Sequence, residues 1–370
     1  MKRNVLLLGV GVFAALSFAC TPIVTSPASP VAGSLSLPSS CTATDFLNKV
    51  SFLTNPPVIS QGGLSVTPGA ALPSSYVAGL TGLFNAAPPK FQQVLCRAGA
   101  SPPSGVAPDI GLDLVYVIGS CAGPACFGSS EGWWHQTSTG GHQRIVELSS
   151  SLWNDNYSGY ETALTRSLLP QSGITYSSAN IDNVAGMALL AALAHEVGHI
   201  RWYEWGLSNP ASYCGGGFFV GWDLHKTKFQ PPPGANGGYY REFLNLAARN
   251  KVRPPPPPPG PPHQGYPYVH GGGPQIDDVD NAPHGASQNA VLHKLLWPPL
   301  TSPWPSLFAA LSPDEDFVET YKLKVLLAAS PPLNSVSLAI PPFKPLDIPQ
   351  ELAANSRPPL AGKLACISSF

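Results

Sequence analysis

His195-Glu196-Val197-Gly198-His199 is an H-E-x-x-H sequence. Residues i and i+4 of an α-helix stack on one face, so both imidazoles can meet one metal ion. Glu196 is offset by one position and can reach a water on that metal. Zinc lowers the pKa of its water towards about 7, and a carboxylate can then take the proton. The chain holds 9 histidines among 370 residues. Composition alone gives the five-residue pattern by chance about 0.5% of the time. The plain alternative is a helix in which two histidines merely cap or pack.

A catalytic metal needs a third protein ligand and an open position. The extended H-E-x-x-H-x-x-G-x-x-H pattern does not supply it, because Trp202 and Trp205 stand at the Gly and last His positions. Downstream, Pro313-Asp314-Glu315-Asp316-Phe317-Val318-Glu319-Thr320-Tyr321 offers carboxylates at helical spacing. Glu315 and Glu319 share one face. Ser312-Pro313-Asp314-Glu315 also reads as a capping box with proline at the first helical position. Under that reading Glu319 is the ligand. Asp223 and His225 compete as a third source, from surroundings rich in Gly and Pro with no helical pattern.

The elements that must position these groups are legible in part. A helix is expected from Ile181 to Trp205, capped by Asn180 or an adjacent Ser and stopped at Gly206, with Met187, Leu190, Leu193 and Val197 at helical spacing. A second is expected over Pro313–Ala329. Pro89–Ala98 holds a short helix ending near Cys96, and Tyr157–Leu169 a helix stopped by Pro170. Leu112–Ile118 reads as a strand. His142–Leu148 alternates polar and apolar residues, as a half-buried strand does. Residues 207–310 carry Pro231–Pro233, Pro254–Pro259 and Gly271–Gly273, with one short helix at Tyr239–Asn250. They read as a long Pro/Gly-rich insertion with polyproline II character. Residues 331–370 read as a proline-rich tail whose one candidate tie is Cys366.

The two acidic and histidine motifs together resemble the gluzincin zinc metallopeptidases, in which H-E-x-x-H is followed by a Glu on a later helix. Glu315-Asp316-Phe317-Val318-Glu319, preceded by Ser-Pro, is similar to the second zinc motif of several bacterial and toxin members. The resemblance implies Zn²⁺ held by His195, His199 and Glu315, with Glu319 supporting a zinc-bound imidazole. It implies Glu196 as general base and later proton donor, and a peptide or protein as substrate. The fold it implies is α+β and zincin-like: a small, mostly antiparallel sheet packed on the active-site helix, within residues 45–206. The strand at Ile145–Leu148 would be the edge that pairs with extended substrate. The second zinc-motif helix would occupy 311–330, and 207–310 would be inserted between the motifs. For the oxyanion, Tyr321, His270, His284 and His293 are candidates. The cluster Glu131-Gly132-Trp133-Trp134-His135 reads as core or interface packing, or as a substrate lining.

The chain begins with an address. Lys2 and Arg3 precede a nearly all-apolar run from Val5 to Ala19 that ends at Cys20. Its length suits a secretory h-region better than a membrane span, so residues 1–20 read as a signal peptide. Leu16-Ser17-Phe18-Ala19-Cys20 resembles a bacterial lipoprotein cleavage site, which implies a lipid on Cys20. The alternative is an ordinary signal peptide with an incidental cysteine. Residues 21–44, rich in Ser, Pro and Ala, read as a tether. Six cysteines remain of seven, enough for up to three disulfides in an exported protein. Cys121 and Cys126 bracket a turn and could close a local loop. No C-x-x-C pair supports a cysteine zinc site.

Composition sets outer limits. Formal net charge is −1 and only 11% of residues are charged, against about 25% in ordinary domains. That excludes the basic stripe of a nucleic-acid binder. With 43 prolines and 36 glycines, much of the chain must be loop. Three functional readings stand: an exported, lipid-anchored zinc metallopeptidase of the bacterial cell envelope, or else periplasmic or secreted; a non-catalytic zincin-like surface or binding lipoprotein; and a structural zinc site with four protein ligands.

Overall fold

The computed structural model describes residues 41–54, 59–60, 63–64, 69–96, 111–119, 130–136, 142–168, 173–201, 289–290, 292–293, 296–297, 304–307, 309 and 313–367. The fold is α+β with small sheets. Helix α1 (Ala43–Leu47) leads into strand β1 (Val50–Leu53), and the two-residue strands β2 (Ile59–Ser60) and β3 (Gly63–Leu64) pair antiparallel. Helices α2 (Ser74–Ala86) and α3 (Pro89–Cys96) then carry the chain to β4 (Leu114–Ile118). Strands β5 (Ser130–Gln136) and β6 (His142–Ser149) are followed by a 3₁₀ turn and helix α4 (Tyr157–Leu168). Strand β7 (Thr175–Ser177) precedes α5 (Met187–Arg201), which carries the H-E-x-x-H residues. Helix α6 (Pro313–Leu327) carries the acidic motif.

The main sheet has the order β1-β4-β6-β5. It departs from a mostly antiparallel arrangement: β1, β4 and β6 are parallel, and only β5 runs against its neighbour. Parallel neighbours need a long crossover, and α2 and α3 provide it between β1 and β4. Strand β6 is therefore interior, and β5 forms the edge. Residues 145–148, expected at the edge, are paired on both sides.

Period-two alternation sorts the strand residues. Val50, Val115, Val117, Val146 and Leu148 join the helices in the main core. Leu53, Tyr116, Ile118 and Ile145 form a separate apolar cluster on the other face. Both α5 and α6 are buried in that main core, and α5 lies against β5 and β6 as well.

The helix α5 begins six residues later than its sequence pattern suggests. Gly186 adopts φ +84, and a Cβ there would collide with the backbone of Leu83 and Gly82 in α2. The chain therefore turns through Ile181–Gly186 pressed on α2, and the first helical bond runs from Leu190 N to Gly186 O at 2.8 Å. Residues 188–194 are all Ala or Leu, the strongest helix formers, and the helix is buried nearly all round.

The proline-rich C-terminal stretch also contributes structure. Strands β8 (Ser337–Ala339) and β9 (Leu346–Asp347) extend β7 into a three-stranded antiparallel sheet. Helices α7 (Ile348–Ala353) and α8 (Pro358–Ile367) follow. Leu360, Leu364 and Ile367 of α8 join the main core. A disulfide joins Cys41 to Cys96, tying the segment before α1 to the end of α3, and Cys366 is disulfide-bonded too. Among the described residues no helix is long and apolar enough to cross a membrane. Cys20, Cys121, Cys126, Cys214 and the helix expected at Tyr239–Asn250 lie outside the described residues.

Candidate metal centre

Helices α5 and α6 pack against each other, and a glycine makes one tight contact between them. A Cβ on Gly198 would stand 3.1 Å from Cα of Val318 and 3.3 Å from its Cγ1. Residues Glu315 and Glu319 flank that contact on α6, one turn apart. They are thereby brought up to His195 and His199, which flank Gly198 on α5.

The imidazole Nε2 atoms of His195 and His199 face each other at 3.2 Å. The Glu315 carboxylate reaches both: Oε2 lies 3.8 Å from Nε2 of His195, and Oε1 lies 3.6 Å from Nε2 of His199. The three residues form a group that could hold a metal ion. Ligand atoms sharing a tetrahedral zinc at about 2.0–2.2 Å stand roughly 3.3–3.6 Å from one another. The donor set is two neutral-capable imidazoles and a carboxylate, chemistry that suits zinc among other transition metals.

Glu319 takes a different place. Its Oε1 lies 2.8 Å from Nδ1 of His195, on the side of the ring away from His199. Its Oε2 accepts a hydrogen bond from Ser306 Oγ at 2.5 Å. The Lys322 ammonium lies 2.8 Å from Oε1 of Glu319 and 2.9 Å from Oε1 of Glu161 on α4. All these side chains are buried. Behind them a cavity of about 30 Å³ is lined by Tyr157, Glu161, Tyr176, Ser306, Glu319 and Lys322, with apolar residues closing it.

The electrostatics follow from this arrangement. Among the protein groups, burial disfavours the His195 cation, but the Glu319 hydrogen bond and the carboxylates of Glu196, Glu315 and Glu319 win and push it up to about 9. Burial and the neighbouring His195 charge bring His199 down to about 3. At pH 7 His195 is thus the cation of the pair and His199 the neutral imidazole. Burial would raise Glu319, yet Lys322 and His195 hold it well below the usual carboxylate range. Burial also disfavours the Lys322 cation, and Glu161 and Glu319 more than compensate.

Glu196 is buried on α5 beside His195, and its charge is felt by both His195 and Tyr160. Tyr321 packs in the core: Arg201 lies 5.0 Å over its ring, and it stacks with Phe317. His293 is stacked on Phe343 with centroids 4.4 Å apart. Asp223, His225, His270 and His284 lie outside the described residues, as do the side chains of Glu131–His135, whose backbone forms β5.

Four participants were not singled out by sequence: Gly198 as the packing contact, Lys322, Glu161 and Ser306. Lys322 had a signal, since 315, 319 and 322 recur on one helix face. Glu161 and Ser306 had none, because only tertiary packing brings them near α6. No protein-family model, curated protein or solved structure matches the chain.

Proposed function

We propose that this protein is a zinc-dependent metallopeptidase of the gluzincin type, with a zincin-like core, exported and lipid-anchored through Cys20. The observation that carries the reading is the convergence of His195 Nε2, His199 Nε2 and the Glu315 carboxylate, with Glu319 on the outer nitrogen of His195. His195, His199 and Glu315 would hold the ion. When bound, zinc supplies Lewis acidity, lowering the pKa of a coordinated water and polarising a carbonyl.

The remaining work falls to the chain itself. Glu319 fixes the ring orientation and tautomer of His195 by accepting from Nδ1. Glu196 takes a proton from the attacking water and returns it to the leaving amine. Strand β5, adjacent to α5, ends the main sheet among the described residues, and an extended peptide could align along it. The Cys41–Cys96 disulfide supports an oxidising compartment.

Metal analysis of the purified wild type beside His199→Ala tests metal binding, with one equivalent of zinc expected in the first and none in the second. Glu196→Gln should keep its zinc and lose hydrolysis of an unstructured protein substrate. Wild-type turnover by that variant would overturn the mechanism. Zinc binding without hydrolysis of any protein or peptide would favour a binding lipoprotein.

A further inference from the structure

Glu319 is gripped from behind. Its Oε1 is hydrogen-bonded to His195 Nδ1 at 2.8 Å and forms an ion pair with Lys322 Nζ, also at 2.8 Å, while Oε2 accepts from Ser306. Lys322 is itself buried and is held by Glu161, 2.9 Å away across the α4–α6 interface. The Tyr160 ring lies 5.9 Å from its ammonium. A relay of contacts therefore runs from α4 through α6 to α5: Glu161, Lys322, Glu319, His195.

A buried ion pair is not by itself a good stabiliser, because desolvation cancels much of the attraction. Its strength is geometric. With one oxygen set between the imidazole and the ammonium and the other taken by Ser306, the Glu319 carboxylate is held in one orientation. Without Lys322, Oε1 would keep only the imidazole, and the carboxylate could swing into the adjoining cavity. That cavity, about 30 Å³, is large enough for one or two waters.

We infer that Lys322, seated by Glu161, is a positioning residue for the metal centre: it pins Glu319 against His195 Nδ1 and so aims the Nε2 atom that faces His199. The inference rests on the reading of His195, His199 and Glu315 as metal ligands. The ion pair of Lys322 within α6 is with Glu319, and its effect on the centre runs through that carboxylate.

The test is zinc affinity of the full-length chain, stripped with chelator and titrated against a chromophoric competitor. Folding is followed in parallel by far-UV circular dichroism. The variant Glu161→Gln/Lys322→Met removes the cation without stranding Glu161 as a buried anion. It should bind zinc about tenfold more weakly, in the range of mutations behind metal-bound histidines. In a Glu319→Gln background the same two substitutions should change affinity less than about twofold, since their route is already cut. Unchanged affinity in the first background, or an equal loss in both, overturns the inference. Where the paired variant does not fold, Glu161→Gln alone decides: about threefold weaker binding supports the relay, and wild-type binding sinks it. A wild type that takes no zinc overturns the metal reading and this inference together. A zinc-loaded wild type indifferent to Lys322 overturns the inference alone.

Discussion

Gly198 and Val318 are in backbone-level contact, and that contact sets the distance between the two helices that carry the candidate ligands. A methyl on Gly198 would press on Val318 Cα at 3.1 Å. Gly198→Ala should push α6 outward by a few tenths of an ångström, carrying Glu315 away from both imidazoles. Alanine gains about 1 kcal/mol in helix propensity but loses about 1–3 kcal/mol to overpacking. Stability should therefore fall by no more than about 2 kcal/mol while zinc affinity falls, and Gly198→Val should lose both. Denaturant titration beside competitive zinc titration separates the two effects. Wild-type affinity in the alanine variant would show that the spacing is not critical.

Glu315 and Glu319 should respond differently to removal. Glu315 faces both Nε2 atoms and Glu319 faces only the outer nitrogen of His195. Glu315→Ala should abolish stoichiometric zinc binding at micromolar concentrations. Glu319→Gln should retain it with roughly 10–100-fold weaker affinity. The reverse ranking would make Glu319 the ligand and Glu315 a helix cap.

The motif helices were readable because their signals are local. Spacing i, i+4 places His195 with His199 and Glu315 with Glu319, and Pro313 marks where α6 begins. The start of α5 was misplaced, because a left-handed Gly186 against α2 depends on a neighbour distant in sequence. Strand β6 was located correctly but placed at the edge: alternation gives a strand and a face, and the neighbour beyond it was a β5 of mixed Trp, His and Gly. The proline-rich C-terminal stretch hides two short strands and two helices that burial, not propensity, holds in place.

Proton release should accompany zinc binding. His195 is raised from 6.5 to about 9, so chelator-stripped protein carries a proton there at pH 7, whereas His199, at about 3, carries none. Because the folded value of His195 is raised, its proton stabilises the stripped protein fully below pH 6.5, and this contribution is lost as pH climbs through about 9. Zinc must displace that proton, so affinity should rise about tenfold per pH unit between 7 and 9. Calorimetry in buffers of different ionisation enthalpy should find about one proton released at pH 7. No release, or a flat affinity profile, would contradict the electrostatic picture of the pair.

The last expectation concerns Asp316, the neighbour of Glu315. Its carboxylate meets Lys363 of α8 at 2.5 and 2.6 Å, with both side chains fully buried and the Trp304 ring 4.7 Å from the ammonium. This pair docks the C-terminal helix on α6, on the residue between Phe317 and the candidate ligand. Burial disfavours the Lys363 cation, and Asp316 offsets part of that cost. Removing one partner leaves a charge in the core. Lys363→Met should therefore destabilise the fold by about 3–5 kcal/mol, and Asp316→Leu by a similar amount. The double variant Asp316→Leu/Lys363→Met leaves no stranded charge and should recover most of the loss, since a well-packed apolar pair can replace a buried ion pair at little cost. Urea denaturation of the four proteins gives the coupling directly. Additive losses in the double variant would mean that the two side chains act independently, and that α8 is held on α6 by its apolar face alone.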